Sequence, residues 1–310
     1  MKNKTFFYGT VFALATAFVS GISNFINKIA VTSVKDPIVF TTLKNSIAAV
    51  FLVGFLAAIK KWPEIKSLTK KQWLKLILIG TVGGAVPFAL FFTGLSKTSA
   101  INAALIHKTL FLWVFILAIP FLKEKISRWQ WVGVGTIFAA NLFIGGFTGF
   151  KYNTGELMIL GATLFWAAEN IIAKKALSDM SSSVVAAARM SIGSAILIAF
   201  LYLRGGTVLP GLNSTQWGWT LLTSLLLFGY VSFWYKALKT APATYVATLL
   251  VPATLVTNVL SALFITHSFA AKDLASSALF ALGTVLVVLF AKNSAGDASF
   301  NRDKLSSAEA

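Results

Sequence analysis

The sequence predicts an all-α polytopic membrane protein: ten transmembrane helices in two inverted five-helix repeats, with both termini cytoplasmic. Three observations lead there. First, 57% of the 310 residues are hydrophobic and 12% are charged, about half the roughly 25% charge of a soluble domain. Mean hydropathy is +0.78, so most of the surface has to face lipid. Second, the apolar residues form continuous runs of about 20, the length a helix needs to cross the hydrocarbon. They do not alternate, which argues against a β-barrel. Third, the sequence overlays on itself at a shift near 145 residues.

The expected spans are 6–31, 37–59, 73–95, 99–122, 129–149, 155–176, 184–203, 215–237, 241–266 and 273–291. Lys2 and Lys4 ahead of an apolar run, with Ala15-Thr16-Ala17 behind, imitate a signal peptide. The apolar pattern continues past Ala17 to about Val31, and the segment has a counterpart later in the chain, so it is expected to stay as the first helix. The net charge of +17 is a topology signal rather than a sign of nucleic-acid binding. With the N-terminus inside, 17 basic residues fall in cytoplasmic segments or at the cytoplasmic ends of spans, five outside and five elsewhere within spans. This is the positive-inside bias, with anionic lipid as the natural neighbour of the basic loops.

The internal repeat is read from ordered matches. A shift of 146 brings Gly9 onto Gly155, Asn24 onto Asn170 and Lys28 onto Lys174. Near 145, Lys44 meets Arg189 and Ser46 nearly meets Ser191. At 144, Trp73 meets Trp217 and Leu105 meets Leu249. The units are 6–149 and 152–292, followed by a polar tail, 293–310, expected to be a disordered cytoplasmic segment. Five helices per unit is an odd number, so the second copy enters the membrane from the opposite side. Inverted repeats of this kind place a binding site near the midplane and allow alternating access.

Other function classes lack the residues they need. There is no cysteine, which removes disulfides, thiolate metal sites and thiol catalysis. Two facing aspartates for intramembrane proteolysis are missing, because Asp36, Asp179, Asp273, Asp297 and Asp303 fall in loops, helix ends or the tail. A zincin needs His-Glu-x-x-His, and the histidines are His107 and His267 only. The expectation is therefore not an enzyme, with no cofactor, no metal and no nucleic-acid partner. A wide channel would show polar rings on several helices, whereas deep polar groups are few here.

The order of motifs is similar to the drug/metabolite transporter superfamily, in particular its EamA-type ten-helix members. In the first repeat the likeness rests on Gly21, Asn24, Phe25 and Lys28, on the run Ala103 to Glu124, and on Gln130 and Gly133. In the second it rests on Trp166, Asn170, Lys174 and Pro252. Ser20, Lys108 and Ser268 depart from the pattern, standing where Trp, Pro and an acid are usual. The resemblance implies transport of small metabolites through a central cavity lined by both repeats.

Polar groups inside the spans are the candidate site. A mid-membrane charge costs about 2.5–3.5 kcal/mol on the mildest scale, so such groups face protein or water. Lys28, Lys75 and Arg189 lie close enough to helix ends to snorkel. Lys44 stands deeper, with structural and functional readings both open. Lys108, mid-way along the fourth span and on one face with Ala104, is the expected substrate-binding cation. His107 points about 100° away, either as a satisfied buried histidine or as a coupling group. Trp166, Glu169, Asn170 and Ala173 form a stripe on the sixth helix, matched on the first by Ser20, Ser23, Asn24 and Asn27. Such stripes also glue helices together. Glu169 is the one acid deep in a span, read as a protonatable coupling group or as a partner of Lys108. The ninth helix adds Thr244, Tyr245, Thr248 and Pro252 along one side, with Pro252 loosening it. Phe88, Phe91, Phe92, Trp113, Tyr230 and Trp234 supply aromatic surface, and Gly80/Gly84 and Gly145/Gly149 are spaced for helix contact.

The site expected from sequence is thus Lys108, Trp166, Asn170, Asn24, Tyr245 and Thr248 for substrate, with Glu169, His107 and Pro252 for coupling or gating. The expected function is a secondary transporter in the inner membrane, exporting an amino acid or a related anionic or zwitterionic metabolite. The alternatives are an exporter of hydrophobic cations or a non-catalytic scaffold. Partners are the lipid bilayer, the small-molecule substrate, protons as candidate coupling ion and a second copy in a homodimer.

Overall fold

The structure is a computed structural model that describes residues 2–98, 100–142, 152–206, 211–267 and 274–290. Every regular element among these is helical: α1 (Lys2–Val34), α2 (Pro37–Ala58), α3 (Trp62–Lys66), α4 (Lys70–Ile79), a π-helical segment (Gly80–Ala85), α5 (Val86–Lys97), α6 (Ala100–Lys108), α7 (Leu110–Leu122), α8 (Arg128–Leu142), α9 (Thr154–Ala176), α10 (Ser182–Leu203), α11 (Ser214–Thr240), α12 (Ala243–Leu249), α13 (Ala253–Ser261) and a second π segment (Ala262–Thr266). A further helix, α14, covers Leu274–Phe290. Among the described residues, eight helical stretches are long and apolar enough to cross a membrane. The protein is an all-α, polytopic membrane protein. Gly145, Gly149, Ser268 and the tail 293–310 lie outside the described residues, as does the side chain of Lys28.

The helix ends follow local chemistry. Asp36 caps α2 through Ile38 N–H and Val39 N–H, with Pro37 in the first turn. Thr69 with Gln72 and Asn213 with Gln216 form capping boxes at α4 and α11. Asn153 and Ser181 cap α9 and α10. Each cap satisfies amide donors that no intrahelical carbonyl can reach.

Two spans are broken in mid-course. The fourth expected span divides at Thr109 into α6 and α7, and the ninth divides at Leu250–Pro252 into α12 and α13. Pro252 lacks an N–H and cannot bond to the carbonyl four residues back. At the first break, Thr109 bonds back to the Ile106 carbonyl at 2.6 Å and accepts from Trp113 Nε1 at 3.0 Å. The third expected span is continuous but contains the Gly80–Ala85 π segment, which ends two residues before Pro87.

The two halves of the chain are interleaved. α1 packs along α11, α5 along α9 and α2 along α10. Gly84 and Gly193 bring the third span against α10 so closely that a Cβ on Gly84 would sit 3.1 Å from the Gly193 Cα. Polar contacts sort the helix ends into two groups. At one end, Glu64 accepts from Ser181 N–H at 2.6 Å and Lys75 pairs with Asp179 at 3.1 Å. Glu124 there accepts from Ala243 N–H at 2.7 Å and from Thr244 Oγ1 at 2.6 Å, closing the start of α12. At the other, Arg204 pairs with Asp36 at 2.5 Å, Gln216 donates to Ser33 O at 2.8 Å, and Asn102 donates to Glu156 at 2.6 Å. The first group gathers the loops around 60–72, 123–127 and 177–181, the lysine-rich ends of the helices.

Candidate functional site

The cavity at the centre begins with a backbone defect. An α-helical carbonyl accepts from the N–H four residues on, and for Gly83 that residue is Pro87, which has none. The π segment around Gly83 carries the mismatch; such bulges occur often at functional sites. Two side chains fill the vacancy on Gly83 O: Trp166 Nε1 at 3.1 Å and Arg189 Nη2 at 3.0 Å. The next carbonyl, Gly84 O, accepts from Asn45 Nδ2 at 3.3 Å. One irregular turn therefore joins helices α2, α9 and α10.

Around it lies a polar cavity of about 90 Å³, several times the ~10–15 Å³ that one water needs. Ser20, Ser23, Asn24 and Asn27 line it from α1, and Trp166, Glu169 and Asn170 from α9. Lys44 enters from α2 and Arg189 from α10. Phe88, Phe91, His107, Tyr230 and Trp234 make an aromatic wall, with His107 4.9 Å from the Trp166 ring and Tyr230 stacked on Trp234 at 6.0 Å.

The hydrogen bonds fix the stripe on α9. Asn170 donates to Trp166 O at 3.0 Å and accepts from Trp234 Nε1 at 3.0 Å. Glu169, 1% exposed, accepts a hydrogen bond from the Tyr235 hydroxyl. Arg189, 4% exposed, is its electrostatic neighbour, although no ion pair within 4.0 Å joins them. Gly83 separates the two: a Cβ there would come within 3.0 Å of Arg189 Nε and 2.9 Å of the Glu169 carboxyl carbon. The Arg189 Nε itself has no hydrogen-bond partner. Lys44, 2% exposed, donates to Asn27 Oδ1 at 3.3 Å and lies 4.4 Å over the Phe92 ring.

A second, smaller cavity of about 30 Å³ adjoins the first, sharing Ser20, Asn24, His107 and Leu110 with it. Its other walls flank the two helix breaks: Lys108 and Phe111 on one side, Leu250, Val251, Ala253 and Thr254 on the other.

Against the sequence expectations, Asn24, Trp166, Glu169, Asn170 and His107 all line the main cavity, and Lys108 lines the adjoining one. Tyr245 and Thr248 line neither. Tyr245 turns toward the start of α1, within 2.9 Å of Thr10 Oγ1 and against Phe6, and Thr248 bonds back to Thr244 O at 2.9 Å. Pro252 is not a lining residue, but Val251 and Ala253 on either side of it are. Arg189 does not snorkel. It is buried and held by Gly83, because the π segment offers a carbonyl nearer than the headgroups. Lys108 does not pair with Glu169, whose partner is Tyr235. Arg189 is the residue missed. Its signal was its register with Lys44 in the repeat, since both are buried cations on the same cavity.

The EamA-like transporter family profile matches residues 7–146 and again 153–289. An uncharacterized transporter of Methanothermobacter thermautotrophicus is 24% identical over 220 residues, covering 66% of this chain and 64% of that protein. An uncharacterized transporter of Haemophilus influenzae is 29% identical over 184 residues, covering 57% of this chain and 59% of its own length. The uncharacterized inner membrane transporter YhbE of Escherichia coli is 26% identical over 181 residues, 56% of each chain. The chain thus spans a little under two thirds of the length of these relatives. A solved crystal structure, 16% identical, superposes with a TM-score of 0.74 over 91% of this chain and 97% of its own, which establishes a shared fold. With two family matches that together take in most of its length, the chain belongs to the EamA-like transporter family.

Proposed function

We propose that the protein is a secondary carrier that moves a small carboxylate-bearing metabolite, such as an amino acid or organic acid, across the inner membrane by alternating access. The observation that carries this is the cavity: two polar stripes, one from each half of the chain, face each other with two buried cations, Lys44 and Arg189, beside a single carboxylate. A buried cation is stable only with a compensating partner, and a carboxylate supplies one to the cation not served by Glu169. The alternative substrate, a hydrophobic cation held by Glu169 and the aromatic wall, would meet Arg189 and Lys44 in the same space.

The reading includes ten transmembrane helices in two inverted repeats, 6–149 and 152–292, with both termini cytoplasmic. Three facts support it: the two family matches, the basic character of one set of helix ends, and the mid-span breaks at Thr109 and Leu250–Pro252. Discontinuous helices at an inverted-repeat interface are where carriers of this type bind substrate. Trp166, Asn170 and Asn24 act as the polar contacts for the solute, and Glu169 is the candidate proton-coupling group.

The test is transport in proteoliposomes by the wild type and Glu169→Gln. Labelled carboxylates chosen by thermal stabilisation of the purified protein should enter wild-type liposomes saturably. In Glu169→Gln, exchange should persist while accumulation driven by a pH gradient is lost. Uptake that rises linearly with substrate, or gradient-driven accumulation unchanged in the variant, would refute the carrier and the coupling role respectively.

A further inference from the structure

We infer that the substrate carries two separated anionic groups, one held by Arg189 and Lys44 in the main cavity and the other by Lys108 in the adjoining one; this rests on the carrier reading above. The first ground is charge balance. Among the described residues, the two cavities together are lined by three cationic side chains, Lys44, Arg189 and Lys108, and one carboxylate, Glu169. A ligand with one anionic group leaves one of these basic groups without a partner, whereas a ligand with two reaches both that Glu169 does not serve, and a buried polar or charged group without a partner is costly.

The second ground is the placement of Lys108. It forms no hydrogen bond or ion pair with another described residue, and its electrostatic neighbour is the adjacent His107. The one acid within the cavities accepts from Tyr235. Lys108 stands instead at the last residue of α6, in a cavity it shares with Leu110, Phe111, Leu250, Val251 and Thr254. A buried basic group with no hydrogen-bond or ion-pair partner in the protein is arranged for a ligand. Between the two cationic ends lie Ser20, Asn24 and His107, which line both cavities and offer neutral hydrogen-bonding groups to the middle of an extended molecule. The His107 Nδ1 has no hydrogen-bond partner within the protein.

The third ground is size. The Lys108 cavity, at about 30 Å³, has room for one or two waters or one small charged group. The two cavities are distinct and share the walls Ser20, Asn24, His107 and Leu110, so a ligand that reaches both has to be extended, and a compact dianion such as inorganic phosphate occupies one of them. The chemical class indicated is an aliphatic dicarboxylic acid.

The experiment compares succinate, glutarate and adipate with butyrate, pentanoate, hexanoate and inorganic phosphate. Thermal stabilisation of the full-length purified protein is titrated at constant pH and ionic strength. One dicarboxylate should half-saturate at a concentration about tenfold lower than the monocarboxylate of equal length, the effect expected of one added charge-assisted contact. Lys108→Met should abolish that advantage. Equal affinity for dicarboxylates and monocarboxylates, tighter binding of phosphate than of any dicarboxylate, or an advantage that survives Lys108→Met would overturn the dianion assignment while leaving a carboxylate carrier standing. Failure of every carboxylate to bind would sink the carrier's substrate class as well. The wild-type length series decides the matter even if Lys108→Met fails to fold.

Discussion

Replacing Arg189 by methionine removes a charge from the centre of the cavity while keeping an unbranched side chain in its place. Two losses follow. The bond from Nη2 to Gly83 O is charge-assisted and contributes about 1.5–3 kcal/mol. Gly83 O keeps its donor from Trp166 Nε1, so no carbonyl is orphaned. The second loss is the field on Glu169. At an effective dielectric of 20, opposite charges 4 Å apart attract by about 4 kcal/mol and by half that at twice the distance. These two groups lie beyond ion-pair distance but both within about 3 Å of one point on Gly83, so about 2–3 kcal/mol is the expected share. Arg189→Met alone should therefore lose about 4–6 kcal/mol. In a Glu169→Gln background the same substitution should lose only the hydrogen-bond part, about 1.5–3 kcal/mol. SDS-titration unfolding in mixed micelles measures all four proteins of the cycle. Additivity within about 0.5 kcal/mol, the behaviour of independent sites, would refute the claim that Arg189 and Glu169 form one electrostatic unit around Gly83.

Three further outcomes are expected. Glu124→Gln keeps the shape of the cap on α12, but its amide nitrogen cannot accept, so the bond from Ala243 N–H is lost and those from Thr244 become neutral; unfolding should show a loss of about 1–3 kcal/mol, and Glu124→Ala should lose clearly more. Burial tends to raise the Glu64 carboxyl, but Ser181 and Lys61 outweigh it and hold it below its ordinary value of 4.5. Its folded value is the lower one, so its contribution is complete above the ordinary range and fades as pH falls through the folded value. The stability gap between wild type and Glu64→Gln should accordingly be present at pH 7 and shrink below pH 4.5, and a gap that widens in acid would contradict this. Single cysteines, introduced into a chain that has none, test the orientation: Ser67→Cys should react only with reagents that reach the cytoplasm and Gly211→Cys from outside, with the reverse pattern overturning the topology.

Much of the architecture is legible in the sequence because the bilayer imposes it. A span needs about 20 apolar residues, and the expected spans fall within a few residues of the observed helices, as 37–59 against Pro37–Ala58 and 155–176 against Thr154–Ala176. The α9 stripe was legible for the same reason, since residues three and four apart share a face and only one face of a helix meets the cavity. Arg189 was misjudged because distance from a helix end says nothing about what the side chain meets on the way; Gly83 O was nearer than water. Its match to Lys44 under the repeat shift was the better guide. The free carbonyl was itself written in the sequence, as Gly83 four residues before Pro87. Tyr245 and Thr248 show the opposite limit: a polar face on α12 reads the same whether it meets a cavity or, as here, Thr10 and its own backbone. The break at Thr109 carries no proline, and the residues that bond across it, Ile106 and Trp113, do not mark a break by their type.

The central claim is that one cavity, shared by both halves of the chain, is reached from each side of the membrane in turn. Asn24 lines both parts of it, and the absence of native cysteine makes Asn24→Cys a clean probe. In proteoliposomes of fixed orientation, the rate of alkylation by a membrane-impermeant maleimide is measured with reagent on either side, with and without the carboxylate that most stabilises the protein. The account predicts reaction from both sides, with substrate on the reagent side slowing it. Reaction from one side only under every condition, or rates from both sides that substrate leaves unchanged, would contradict it.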